Sequence, residues 1–260
     1  MALSKQQIHQ IETVLRNSLR NKFQNYNPEP AVMPFHTRLL GKDRLALYSF
    51  IHSLNTNFGT SIFEPIAKTL ALSTFASAES QQKAGNKISS DAQRVIQNIM
   101  DGLAVATTSP NKIQEINAIR AVCQTGVMKT FKPTKVDVKL VGHDGTIYLF
   151  DIKTAKPNAG GFKEFKRTLL EWVATTLATN PSVNIQTIIA IPYNPYEPQP
   201  YNRWTMRGML DLNNELKVAA EFWDFLGGQG AYTNLLDIFE RIGLELRPEI
   251  DAYFNRYNKN

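Results

Sequence analysis

The sequence holds one cysteine, Cys123, among 260 residues. That excludes an internal disulfide framework and a multi-cysteine zinc or iron–sulfur site, and it fits a reducing compartment. The four histidines, His9, His36, His52 and His143, show no pairing at ligand spacing, so a histidine-held metal is not expected. No stretch approaches the ~20 apolar residues that span a bilayer, and residues 1–7 lack a signal-peptide core. A soluble, cytoplasmic protein without a membrane partner is expected. A P-loop and a nucleophile-elbow serine are also missing, and the glycine run at 227–230 lacks the completing glycine of a dinucleotide loop. No nucleotide cofactor is expected, and Cys123, on an apolar helix face, reads as core.

What is present is ordinary globular material, 43% hydrophobic and 20% charged. The chain is long enough to bury a sizeable core, and it has no internal repeat or clear linker. One domain over 1–260 is the simplest reading, with a mainly helical part at 1–130 and a core with mixed strands and helices at 131–260. The charge is less ordinary. The total is +6 with a pI near 9.3, but residues 208–260 hold nine acids against five bases, a net of −4, leaving +10 on residues 1–207. Between 129 and 167 there are nine bases and four acids. Positive charge concentrated in mid-chain makes a polyanionic partner plausible.

The first half reads as helical. Ser4 and Gln7 form a capping-box pattern ahead of Ile8, Ile11, Leu15 and Leu19, spaced for one helical face. Further helices are expected at 44–54, 61–73, 90–104 and 112–123, and the polar stretch 76–87 reads as a loop. From Lys135 the period becomes two. Val136, Val138 and Leu140 face one way, Asp137, Lys139 and Val141 the other. Asp144-Gly145 is a hairpin turn signature, and 146–153 is the returning strand. A helix at 162–177, a β-branched central strand at 184–191, a Pro/Tyr-rich loop at 192–201 and helices at 232–242 and 248–257 complete the chain.

The chemistry concentrates on this hairpin. Asp151 and Lys153 are two apart on a strand and leave the same face. Asp137 precedes Asp151 by 14 residues, a short hairpin's distance. Two carboxylates and an ammonium then converge at one end of the sheet. Such a trio suits phosphodiester hydrolysis: the carboxylates are hard oxygen ligands for Mg²⁺, and a bound divalent ion neutralises transition-state charge and acidifies its water. Lys153 can orient or deprotonate the attacking water. The competing reading is a solvated hairpin with charges on its outer face. Against it, Asp151 and Lys153 follow an apolar strand (Ile147, Leu149, Phe150), a central position where charge needs a reason. The loop that follows, with Lys156 and Asn158, leads to a helix bearing Lys163, Lys166 and Arg167, which can track a DNA backbone.

The segment from Lys135 to Lys153 resembles the PD-(D/E)xK motif of type II restriction endonucleases, with Val136 where proline is usual. Four further stretches, at 58–64, 162–172, 191–198 followed by 203–206, and 222–228, resemble the subgroup that cuts short GGNCC-type sites, so the likeness spans most of 58–254. The resemblance implies an α/β fold with a restriction-endonuclease-like core, a mixed central sheet flanked by helices. It implies a homodimer that cuts both strands of duplex DNA to 5′-phosphate and 3′-hydroxyl ends. Carried over, Asp137 and Asp151 are the Mg²⁺ ligands and Lys153 the water-activating base. Glu64, near the start of its helix, matches an acidic residue kept close to the metal in many relatives; the competing reading is a glutamate favoured by the helix dipole.

Base reading needs side chains at base edges, and arginine on guanine is the commonest pairing. Arg203 and Arg207 are the first candidates, then Lys156 and Asn158, with phosphate contact or a solvated charge as the alternative for each. Tyr193, Tyr196 and Tyr201 either rim a DNA channel or pack their loop down. Two other functions share these residues: a structure-specific or repair nuclease resembling a junction resolvase, and a non-catalytic DNA-binding module.

Overall fold

The computed structural model describes residues 3–26, 33–153, 161–202 and 208–255, excluding the side chains of Asp43, Thr56 and Asn57. The first helix, α1 (Lys5–Asn25), opens on the expected reciprocal cap: Ser4 Oγ accepts from the Gln7 N–H, and Gln7 Oε1 accepts from the Ser4 N–H. It is followed by α2 (Pro34–Leu40) and α3 (Lys42–Asn57). A π-helical turn (Phe58–Phe63) then runs into α4 (Glu64–Ala71). The single helix expected at 61–73 is thus divided, because Pro65 has no N–H for the carbonyl that an α-helix continuing from residue 61 would present to it.

The expected loop at 76–87 is in part a strand, β1 (Ser77–Gln82), which is a correction to the sequence reading. Only Ala78 of its six residues is buried. An edge strand with one solvated face carries no run of β-branched residues to betray it; its backbone pairing is what holds it. A short pair, β2 (Lys87–Ser89) and β3 (Met128–Thr130), brackets α5 (Ser90–Ala104) and α6 (Lys112–Val122). The hairpin follows as β4 (Val136–Val141) and β5 (Ile147–Ile152), with Gly145 at φ +81° in the turn, a value glycine adopts without penalty. Next come α7 (Gly161–Thr179), β6 (Ile185–Ile191), β7 (Leu216–Val218), α8 (Ala220–Gly227), α9 (Ala231–Glu245) and α10 (Arg247–Phe254).

The five-stranded sheet has the order β1-β4-β5-β6-β7. Its β1/β4 and β4/β5 pairs are antiparallel and its β5/β6 and β6/β7 pairs parallel. Helix α7 makes the crossover from β5 to β6 that a parallel pair requires. One apolar layer packs α5, α6 and α7 on Leu149, Ile185 and Ile189, and the other packs α1, α4, α8 and α9 on Val138, Leu140, Phe150 and Ile188. This is the expected mixed sheet flanked by helices. Among the described residues no helix is long and apolar enough to cross a membrane.

Candidate active site

The alternation read from the sequence decides which side chains meet. Along β4 the residues alternate buried and half-buried, with Asp137 on the half-buried register. Val138 pairs with Phe150, so continuing the antiparallel register sets Asp137 beside Asp151. The Asp137 carboxylate stitches the two strands where the ladder ends: its Oδ2 accepts from the Ile152 N–H at 2.8 Å. Asp151 is buried, 6% exposed, and its Oδ1 lies 2.7 Å from Lys153 Nζ. The Lys153 backbone is fixed by its N–H donating to the Ala190 carbonyl of β6 at 2.9 Å, and its ammonium lies 4.8 Å from the centre of the Phe165 ring on α7. Asp137, Asp151 and Lys153 therefore converge as expected.

Glu64, the first residue of α4, joins them from the other layer. Burial pushes its carboxyl above the usual carboxylate range. Both Glu64 oxygens accept from Gln81 Nε2, at 3.0 and 2.9 Å, and the same amide reaches Asp137 Oδ1 at 3.3 Å. Gln81 was missed by sequence reasoning. It lies on β1 opposite Asp137, between the Ser80–Val138 and Gln82–Val136 pairs, and its backbone sits at φ +56°. A left-handed conformation at a side-chain-bearing residue costs on the order of 1–2 kcal/mol. The only hint was a glutamine in a segment that otherwise reads as loop.

Glu64, Asp137 and Lys153 face a cleft of about 620 Å³, lined also by Ile152, by His52, Asn55 and Phe58 from α3 and the π-turn, and by Pro192, Tyr193 and Pro195 beyond β6, with Asp151 buried just behind them. Tyr193 thus rims the opening, whereas Tyr196 and Tyr201 pack on each other with ring centres 5.8 Å apart. Electrostatically the cleft is short of positive charge. Burial, reinforced by the Asp151 charge, pushes the Asp137 carboxyl up to about 7. Among the described residues no three His, Cys, Asp or Glu side chains are arranged to hold a metal ion by themselves. A pair of carboxylates under mutual repulsion, with hard oxygen donors and an open cleft beside them, still fits an ion that keeps several waters and takes one or two protein carboxylates.

Of the expected DNA contacts, Lys163 is exposed in the first turn of α7. Lys156, Asn158, Arg203 and Arg207 lie outside the described residues. Lys166, expected beside Lys163 on a DNA-tracking face, is instead fully buried. Its Nζ contacts Glu115 Oε2 at 2.5 Å and Glu215 Oε2 at 2.6 Å, while Lys112 Nζ lies 2.9 Å from Glu215 Oε1. Burial pushes the Glu215 carboxyl up, but the two ammonium groups outweigh it and hold the pKa below the ordinary value. Arg167 donates to Gln97 Oε1 at 2.9 Å. Neither pairing is encoded locally: the partners come from α6, α5 and the turn before β7.

A mixed sheet with two aspartates and a lysine at the end of its central hairpin, open to a cleft, is the architecture of a nuclease, and the comparison with known proteins defines which kind. Residues 3–243 match the family described as type II restriction endonuclease, HinfI; the chain belongs to that family and is a site-specific deoxyribonuclease. Among its relatives, the type II restriction enzymes HgiBI and HgiEI of Herpetosiphon aurantiacus are 28% and 30% identical to it. These alignments cover 93% of this chain and 90% of HgiBI, and 84% of this chain and 79% of HgiEI. The type II restriction enzyme MjaII of Methanocaldococcus jannaschii is 26% identical over 99% of the chain and 75% of its own length. Membership selects restriction cleavage over the branched-DNA nuclease and the non-catalytic binding module.

Proposed function

We propose that this endonuclease is Mg²⁺-dependent and cuts both strands of a short GGNCC-like palindrome, leaving 5′-phosphate and 3′-hydroxyl ends. It acts as a homodimer of single-domain chains in the cytoplasm. The observation that carries the reading is the convergence of Asp137, Asp151 and Lys153 at the mouth of the cleft. Asp137 and Asp151 would hold Mg²⁺, which when bound supplies charge neutralisation at the scissile phosphate and a more acidic water. Lys153 Nζ, anchored by Asp151 and by the backbone bond to Ala190, directs a hydrogen bond at the attacking water, holds it in line and offsets phosphate charge. Glu64 and Gln81 keep Asp137 in place from the opposite wall.

Lys163 meets backbone phosphates, and Arg203, Arg207, Lys156 and Asn158 contact the duplex near the recognised bases. Sequence specificity is tested by digesting DNA of known sequence with Mg²⁺ and mapping the fragment ends. Discrete fragments whose ends all fall at one GGNCC-like palindrome are expected. Random ends, or cleavage confined to branched DNA, would overturn the reading.

A further inference from the structure

The apolar residues of helix α3 extend well past the face it buries. On that face Phe50 is buried against Phe23, Tyr253 and Phe254, with ring centres 5.1–5.6 Å apart. Beyond it the helix presents Leu47, Tyr48 and Ile51, at i, i+1 and i+4, to solvent, and α2 adds Phe35, Leu39 and Leu40. Phe35 and Leu39 are 83% and 82% exposed and Tyr48 64%. A helix whose apolar residues run beyond its buried face leaves a surface patch that marks an interaction site when large enough. Taking ~150–200 Å² for a fully exposed side chain of this size, the six leave on the order of 600 Å² of apolar surface, at the top of what an ordinary monomer shows.

We infer that this α2–α3 face is the surface through which a second copy of the chain docks. The inference rests on the palindromic-site reading above, since a two-fold DNA site is matched by a two-fold protein. An isologous contact counts the patch twice, on the order of 1,200 Å², the lower edge of a stable interface. The same exposed stripe of α3 continues through His52 and Asn55, which line the cleft. A dyad at Leu47–Ile51 therefore lies within about 10 Å along the helix of each catalytic cleft, and the two clefts flank it. The large side chains of the patch are apolar, which suits a protein partner rather than phosphates; Arg38 and Arg44 at its edge are what a duplex would use.

Analytical ultracentrifugation of the full chain without DNA or metal tests this. Wild type is expected to be dimeric at low micromolar concentration, and Leu39→Glu/Tyr48→Glu to self-associate on the order of 30-fold or more weakly, as for loss of a central contact, with an unchanged circular dichroism melt. Because Cys123 is buried, a single introduced thiol reports proximity without altering charge. Tyr48→Cys is expected to give a covalent dimer with a short bis-maleimide, and Val105→Cys, exposed on the far side of the sheet, is not. A monomeric wild type, or a double variant that dimerises as wild type does, overturns the inference. So does cross-linking at 105 but not 48. An unchanged dimer with lost DNA affinity assigns the face to the duplex and overturns it equally. A dimer abolished by the double variant whose wild type fails to cut DNA upholds the surface and refutes the nuclease reading instead.

Discussion

Asp137 holds one strand to the next through the Ile152 N–H while facing Asp151 and Glu64, so its charge is costly when no cation is bound. Its pKa is raised from 3.8 to about 7, so between these values the folded state holds a proton that the unfolded chain has released. Metal-free stability therefore falls as pH rises through that window and levels off above it. Asp137→Asn, which keeps the acceptor for Ile152 N–H, removes the penalty: in EDTA at pH 8 the variant is expected to be more stable by about 2 kcal/mol, with the gain vanishing at pH 4. Denaturant melts at the two pH values check this, and a variant less stable at pH 8 would contradict it. Gln81→Gly relieves the left-handed backbone but removes the amide shared by Glu64 and Asp137. Stability is expected to change by less than ~1 kcal/mol, strain relief offsetting lost hydrogen bonds, while the cleavage rate drops roughly 10–100-fold, as for other supporting contacts around a site. Unchanged cleavage would refute the positioning role. Asp137, Asp151 and Lys153 were legible because a period of two and one Asp-Gly turn fix them locally. Gln81 was not, since only the non-local pairing of β1 with β4 brings it there.

At the scale of elements, the hairpin, α5 and α7 follow from patterns contained within their own residues. The edge strand β1 and helices α2 and α8 do not, because pairing or tertiary packing decides them against weak local preference. Helix α7 shows how one element serves two ends. Lys163 points to solvent and Lys166 into the buried carboxylates of Glu115 and Glu215; the helical period sets Lys166 between Phe162 and Leu169 on the apolar face, with Lys163 at its edge, but the buried partners that hold its charge are non-local. Lys166→Ala leaves buried Glu115 without its ammonium partner and Glu215 with Lys112 alone, and is expected to cost about 3–5 kcal/mol of stability, read in denaturant unfolding. Lys163→Ala is expected to leave stability within ~0.5 kcal/mol. It should lower the slope of log affinity for DNA against log salt by about 1. A reversal of these two phenotypes would contradict the placement.

For the whole molecule, the sheet separates two apolar layers, and the proposed catalytic groups sit between them where β4 begins and β5 ends. The +10 carried by residues 1–207 suits long-range attraction of a duplex, and the proposed site adds the local chemistry. The family could be recognised from the sequence because its stretches run in order along most of the chain. The buried ion cluster and the apolar α2–α3 face could not, since both depend on which side of a helix the rest of the chain covers. The most direct measurement compares plasmid cleavage and DNA binding by wild type, Asp151→Ala and Lys153→Ala in Mg²⁺. Wild type should give discrete fragments, and both variants should lose cleavage by at least about 10³-fold while still retaining a labelled duplex that carries the site. Discrete fragments from either variant at the wild-type rate would contradict the assignment of these side chains to the hydrolysis.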